Sequence, residues 1–273
     1  MNLEVRKYKI EDQNIWDNFI EKSKNSTFLF KRDFMDYHCD RFKDHSLMVY
    51  AKSKIICCFP ANEKNENTII SHGGLTYGGF IVDKEIKQPL ILESVKSILK
   101  YYQENNCKVL IYKAFPRIYN NIPADEIEYA MFILDSKLIR RDTALVIDQH
   151  NKINYSGNIR REAKKAFLSG VEFMESEDFG AFWEKLLIPN LKSRFSVSPV
   201  HSNSEIQLLK SRFPSEIKLY LVKSPKGEIL SGTVFFLTDS VAHCQYIAST
   251  DEGRKLGALN YLFTKLIDQK SVV

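Results

Sequence analysis

Between Ile217 and Ser249 the chain runs through three β-rich segments separated by two short turns. Ile217–Lys223 is followed by Ser224-Pro-Lys-Gly227, then by Glu228–Thr238, Asp239-Ser240 and Val241–Ser249. Turns this short force neighbouring strands to run antiparallel, so the segment predicts a meander. A loop, Thr250–Gly257, then leads into a helical pattern with Leu259, Leu262, Phe263, Leu266 and Ile267 inward. Helical patterns precede the meander at Ile159–Leu168, Asp178–Phe195 and Glu205–Phe213, the last opened by the capping box Ser202-Asn-Ser-Glu205.

The first half shows a related order. Helical spacing covers 11–23, with Ile15, Trp16, Phe19 and Ile20 on one face, and a short helix follows near Arg32–His38. Strands are expected at Leu47–Ala51, Ile55–Phe59 and Thr68–Ser71, before the glycine cluster His72-Gly-Gly-Leu-Thr-Tyr-Gly-Gly79. A helix near Leu90–Glu104, a strand at Val109–Lys113, a helix near Ala124–Leu134 and a strand at Ala144–Ile147 complete it. Both halves therefore read as helices, three antiparallel strands, a glycine-containing loop and a helix. We expect an α/β (α+β) protein of two tandem domains, 1–150 and 151–273, with mixed, mainly antiparallel sheets flanked by helices. The second half lacks the closing strands that the first half has.

At 273 residues, 44% hydrophobic and 27% charged, either half is long enough to bury a core. No apolar run is long enough to span a bilayer, and the first residues carry no apolar signal core, so a cytoplasmic protein is expected. The net charge of +5 is mildly basic, below what a dedicated nucleic-acid binder usually shows, and no DNA partner is expected. Five cysteines without CxxC spacing and six histidines without HxH or HxxxH spacing predict reduced thiols and no metal site. The absence of GxSxG, a Walker loop and a dinucleotide fingerprint removes hydrolase, NTPase and dehydrogenase readings.

Three places carry candidate chemistry. Glu252-Gly-Arg-Lys-Leu-Gly-Ala258, ahead of a helix, offers backbone N–H groups, a positive dipole end and two cations, which suit a pyrophosphate. Arg160/Lys164 and Arg161/Lys165 are like-charge i,i+4 pairs whose repulsion a bound anion (cofactor phosphate, lipid headgroup or tRNA) would offset; a solvated basic face is the alternative. His201 sits in a loop before a capped helix, and strict alternation puts His243 and Gln245 on one face of their strand and Cys244 and Tyr246 on the other.

Several segments together resemble the FemAB-like branch of the GNAT superfamily, especially proteins encoded with bacterial surface-polysaccharide genes. They are Asn25–His38, Ser71–Gly79, Leu110–Lys113 with Pro116, Ile159–Lys165, Pro199–His201, and Ala242–Ala248 with Gly253 to Ala258. Arg254-Lys-Leu-Gly257 fits the start of the acyl-CoA loop pattern [Q/R]-x-x-G-x-[G/A], and Leu259 departs from its last position. Such relatives continue with a further strand pair and a Phe-Asp-Phe-Gly-like segment, which agrees with the missing strands.

The resemblance implies twin GNAT-like domains with a cleft between them and transfer of an acyl group to an amine. It implies either acyl-CoA with an amino sugar or polysaccharide precursor of the cell envelope, or aminoacyl-tRNA with a cell-wall peptide. Acyl-CoA, acetyl-CoA in particular, is placed first because no heptad stretch for a coiled-coil arm occurs. His201 and Tyr246 are the catalytic candidates. His72, Tyr77, Lys113, Arg160 and Gln245 are acceptor-side candidates, and Gly253, Arg254, Lys255, Leu256, Gly257 and Ala258 would hold the donor. A lipid-linked acceptor would imply peripheral membrane contact, although the sequence shows no evident amphipathic anchor. A non-catalytic binding or scaffold module built on degenerate GNAT domains is the reading from another class.

Overall fold

The charged N-terminal stretch forms a strand, β1 (Leu3–Lys7), in the computed structural model, which describes residues 3–268. The chain divides into two compact units, one up to Arg141 and one from Asp142.

In the first unit, α1 (Gln13–Lys22) buries Trp16, Phe19 and Ile20 at i, i+3 and i+4. The Trp16 indole donates to the Phe30 carbonyl at 2.8 Å, which ties α1 to the chain ahead of α2 (Arg32–Met35). Arg32 is buried, paired with Asp36 and Asp44 at 2.5 and 2.9 Å and stacked 3.7 Å from the centre of the Tyr8 ring. A buried cation needs such partners, since losing one would leave an uncompensated charge. Asn25 clasps the chain near Phe80: its amide donates to the Phe80 carbonyl at 2.8 Å, and its side-chain oxygen accepts from the Val82 N–H at 3.0 Å.

β2 (Leu47–Ala51) and β3 (Lys54–Phe59) form a hairpin, β4 (Asn62–Asn65) and β5 (Thr68–Ile70) a second, and β6 (Ile81–Val82) follows. Then come α3 (Gln88–Glu104), β7 (Val109–Ile111) and α4 (Glu126–Ile133). One antiparallel sheet has the order β1-β2-β3-β6, and a second sheet runs β4-β5-β7 with β5 and β7 parallel. The expected three-strand set is thereby corrected. Thr68–Ile70 does not join the β2–β3 hairpin, because the intervening β4 takes its antiparallel edge. Ile91, Val95, Ile98 and Tyr102 of α3 share one core with Leu47, Val49, Phe59 and Phe80.

No strand forms at Ala144–Ile147. Leu145, Val146 and Ile147 are exposed, since a β-prone segment needs a hydrogen-bonding neighbour and none lies beside it among the described residues. The second unit continues with α5 (Gly157–Leu168), β8 (Glu172–Ser176) and α6 (Phe179–Phe182), the last capped by the Asp178 carboxylate. A widened π turn, Trp183–Leu187, precedes α7 (Ile188–Phe195), where Pro189 has no N–H to give. α8 (Asn203–Arg212) has the capping box expected at Ser202 and Glu205.

The meander is present as β9 (Ile217–Lys223), β10 (Ile229–Leu237) and β11 (Ala242–Ser249) in an antiparallel sheet of order β11-β10-β9-β8. Two helices follow, α9 (Asp251–Leu256) and α10 (Ala258–Asp268), and no strand follows α10 among the described residues. One sheet face, with Tyr220, Val222 and Phe235, packs on α5 and α10. The other carries Val234, Phe236 and Tyr246 towards the Trp183 turn. In both units the strand before the helices pairs antiparallel with the strand after them, β1 with β2 and β8 with β9.

Candidate active site

The register of β10 and β11 decides which side chains meet. Val234 pairs with Tyr246 and Phe235 with Cys244, so Gln245 is an extra residue in a bulge. The expected alternation is corrected by that insertion. Tyr246 shares a face with His243 and Phe236, and Cys244 turns to the opposite face, where its thiol lies 3.2 Å from the Thr233 hydroxyl. Thr233 also donates to the Tyr246 carbonyl at 2.8 Å, which fixes the bulged backbone.

Re-aimed in this way, Tyr246 meets His201. Its hydroxyl lies 2.5 Å from His201 Nδ1 and accepts the His201 backbone N–H at 3.1 Å. Both side chains are buried. His201 is held by its neighbours: its carbonyl accepts the Trp183 indole N–H at 3.0 Å, and Ser202 begins α8. The Trp183 ring stands edge-on to Tyr246 at 5.0 Å. Burial pushes the Tyr246 hydroxyl above its ordinary pKa, against the hydrogen bond from the His201 backbone. Tyr246 therefore stays a phenol at neutral pH. Its oxygen accepts the His201 backbone N–H and shares a second hydrogen bond with His201 Nδ1, whose direction follows the imidazole tautomer. Gln245, at the bulge, also bears on this phenol as a side-chain hydrogen-bond partner.

The stretch from Gly253 to Ala258 is not an open loop. It forms α9 and a left-handed corner, because the Thr250 hydroxyl caps the Gly253 N–H at 2.9 Å and Gly257 adopts φ +77°. Gly253 lies against the Leu230 carbonyl and Gly257 against that of Glu162, where any Cβ would collide. Arg254 donates to the Ser249 carbonyl at 2.6 Å and to Asp251 at 2.7 Å. The Lys255 carbonyl accepts Lys165 at 2.5 Å, Leu256 is half-buried and Ala258 is buried. Arg160, on α5, is exposed and donates to the Tyr155 carbonyl at 3.0 Å.

The first-half candidates sit together within their own unit. His72 is buried with φ +46°, its Nδ1 has no hydrogen-bond partner, and its ring stacks on His38 at 5.2 Å. Lys113, half-buried, donates to the His72 carbonyl at 3.3 Å and to the Leu75 carbonyl. Tyr77 is enclosed by Phe30, Phe115 and Tyr119 and bonds the Thr27 hydroxyl at 2.9 Å. Burial lowers the His72 pKa to about 3, with His38, Arg32 and Lys113 adding to the effect, and it lowers that of Lys113 as well.

Sequence reasoning missed Trp183 and Thr233, which position the pair. A buried indole has one N–H to satisfy, and that is the signal that points to a Trp183 partner. Among the described residues no group of histidines, cysteines and carboxylates could hold a metal ion, and no helix is long and apolar enough to cross a membrane.

No family model matches the chain, and no curated protein matches it in sequence. Its fold is similar to that of FemX, with a TM-score of 0.66 and 12% identity over 96% of this chain and 85% of that one. A conserved protein of unknown function from Bacteroides thetaiotaomicron gives 0.58 and 9% identity, covering 99% and 88%. The C-terminal domain of a putative lysylphosphatidylglycerol synthetase from Agrobacterium fabrum gives 0.54 and 9%, covering 94% and 74%. The likeness is one of fold: this chain shares the fold of FemX over nearly its whole length.

Proposed function

We propose that this chain is a transferase that moves an acyl group from acyl-CoA to an amine, with His201 and Tyr246 handling the proton. The observation that carries the reading is the 2.5 Å contact between two buried groups at a strand bulge. Bulges re-aim side chains beside active sites, and a desolvated phenol–imidazole pair passes protons without involving bulk water. As the amine attacks the thioester carbonyl, the Tyr246 oxygen takes the amine proton and gives its own to His201 Nδ1. The tetrahedral intermediate then collapses to an amide and a thiolate. The proton returns from His201 through Tyr246 to the thiolate, leaving amide, free thiol and the starting pair.

In this reading the donor's pyrophosphate lies at the corner formed by Gly253, Arg254, Lys255, Leu256, Gly257 and Ala258, where two cations precede the eleven-residue α10. Gln245, at the bulge beside Tyr246, and Arg160 of the same unit are the acceptor-side residues in this reading, and an amino sugar or polysaccharide precursor is the acceptor. A second reading, with an aminoacyl donor, is favoured by the fold shared with the lysylphosphatidylglycerol synthetase domain.

Calorimetric titration separates the two donors. Saturable heat on adding acetyl-CoA, abolished by excess CoA, supports the first. Silence with acetyl-CoA together with binding of a lysyl-charged tRNA replaces it with the second.

A further inference from the structure

We propose that α5 docks the protein on an anionic lipid surface. At 100° per residue, Phe167, Arg160, Lys164, Leu168, Arg161 and Lys165 fall in that order within an arc of about 160°. The opposite side of the helix carries the buried Ala163 and Ala166 against the core shared with α10. The arc is open to solvent. Phe167 is 60% and Leu168 72% exposed, and all four cations are exposed.

Among the described residues the four cations of this stripe meet one carboxylate, that of Glu162. Arg160 donates to the Tyr155 carbonyl, Arg161 to Asn158 and Lys165 to the Lys255 carbonyl, all neutral acceptors. Glu162 reaches Arg161 only at 4.0 Å. Four cations spaced i, i+1, i+4 and i+5 on one helix repel one another and call for an anionic counterpart. The two adjacent apolar side chains select among such counterparts. A polynucleotide or a soluble phosphate has no use for an exposed leucine, whereas an acyl-chain boundary takes Phe167 and Leu168 while headgroup phosphates meet the arginines and lysines. The exposed Phe167 rests on the buried Tyr261 of the core, with ring centres 6.3 Å apart, so its outer face is the part left to a lipid surface. The inference goes beyond the transfer reading and holds whichever donor is used.

The test is sedimentation of the full chain with phosphatidylcholine vesicles, with and without about 30% phosphatidylglycerol. Binding at least about tenfold tighter to the anionic vesicles, weakening at high salt, is expected. The double variant Phe167→Ser/Leu168→Ser and the charge reversal Lys164→Glu/Lys165→Glu should each weaken it about tenfold, with unchanged circular dichroism because all four positions are exposed. In a Phe167→Trp variant, a blue shift of indole emission on anionic vesicles is expected. No sedimentation overturns the proposal, as does vesicle binding that the Phe167/Leu168 variant leaves unchanged, or an emission band of the Phe167→Trp variant that the vesicles do not shift. Binding of tRNA through the same lysines without vesicle binding would replace the lipid surface with a nucleic acid.

Discussion

A histidine at φ +46° with a buried, unpartnered Nδ1 is an expensive arrangement, and His72 has both features. The folded unit keeps this ring neutral down to a pKa of about 3, because burial and the nearby His38, Arg32 and Lys113 oppose a positive charge. In the unfolded chain it titrates near the ordinary value of about 6.5. Above that pH neither state binds the proton. Below it the unfolded state alone does, so stability falls as pH drops from about 6.5 towards 3, by about 1.4 kcal/mol per unit. Chemical denaturation at pH 7 and pH 5 should show about 2 kcal/mol of loss from this residue. The substitution His72→Asn, which tolerates a left-handed backbone, should flatten that part of the slope. The sequence names His201 and Tyr246 but not their meeting, because their hydrogen bond spans 45 positions and depends on one inserted residue in β11.

At the scale of elements, strongly patterned segments were legible. The meander, α3 with its inward Ile91, Val95 and Ile98, and the Ser202 capping box lie where the spacing puts them. β1 and β8 were not, since Leu-Glu-Val-Arg-Lys and Glu-Phe-Met-Glu-Ser are charged edge strands that owe their form to the neighbours they pair with. α9 was masked by Gly253, whose missing side chain allows packing on the Leu230 carbonyl rather than loop freedom. Two substitutions test these assignments. Gly257→Ala puts a Cβ 2.5 Å from the Glu162 carbonyl at φ +77° and should cost about 2–4 kcal/mol in denaturant unfolding. Ser202→Ala removes the α8 cap beside His201 and should cost about 1 kcal/mol by the same measurement.

Across the whole molecule, each unit holds its own core, and residues 134–156 between α4 and α5 form neither helix nor strand. Their exposed Leu138, Ile139, Leu145 and Ile153 leave the backbone open to a protease. Brief trypsin treatment should cut first between Lys137 and Lys152 and give two fragments of about half the chain, as read by mass spectrometry. First cuts inside β9–β11 would contradict this division. The likeness to FemX shows how far fold can outlast sequence: 12% identity carries 96% of this chain. The segments that resemble the FemAB-like branch are partly explained by structure alone. Asn25 and Arg32 hold the first unit together, and Gly253 and Gly257 permit a close helix corner. The central claim rests instead on Tyr246 and His201. It is tested most directly by following thiol release and amide formation from acetyl-CoA with a panel of amino sugars, comparing the parent with Tyr246→Phe. The account predicts amide formation by the parent and a kcat lower by about 10²–10⁴-fold in the variant, with acetyl-CoA binding retained. Equal turnover by both proteins, or no amide with any amine, would contradict it.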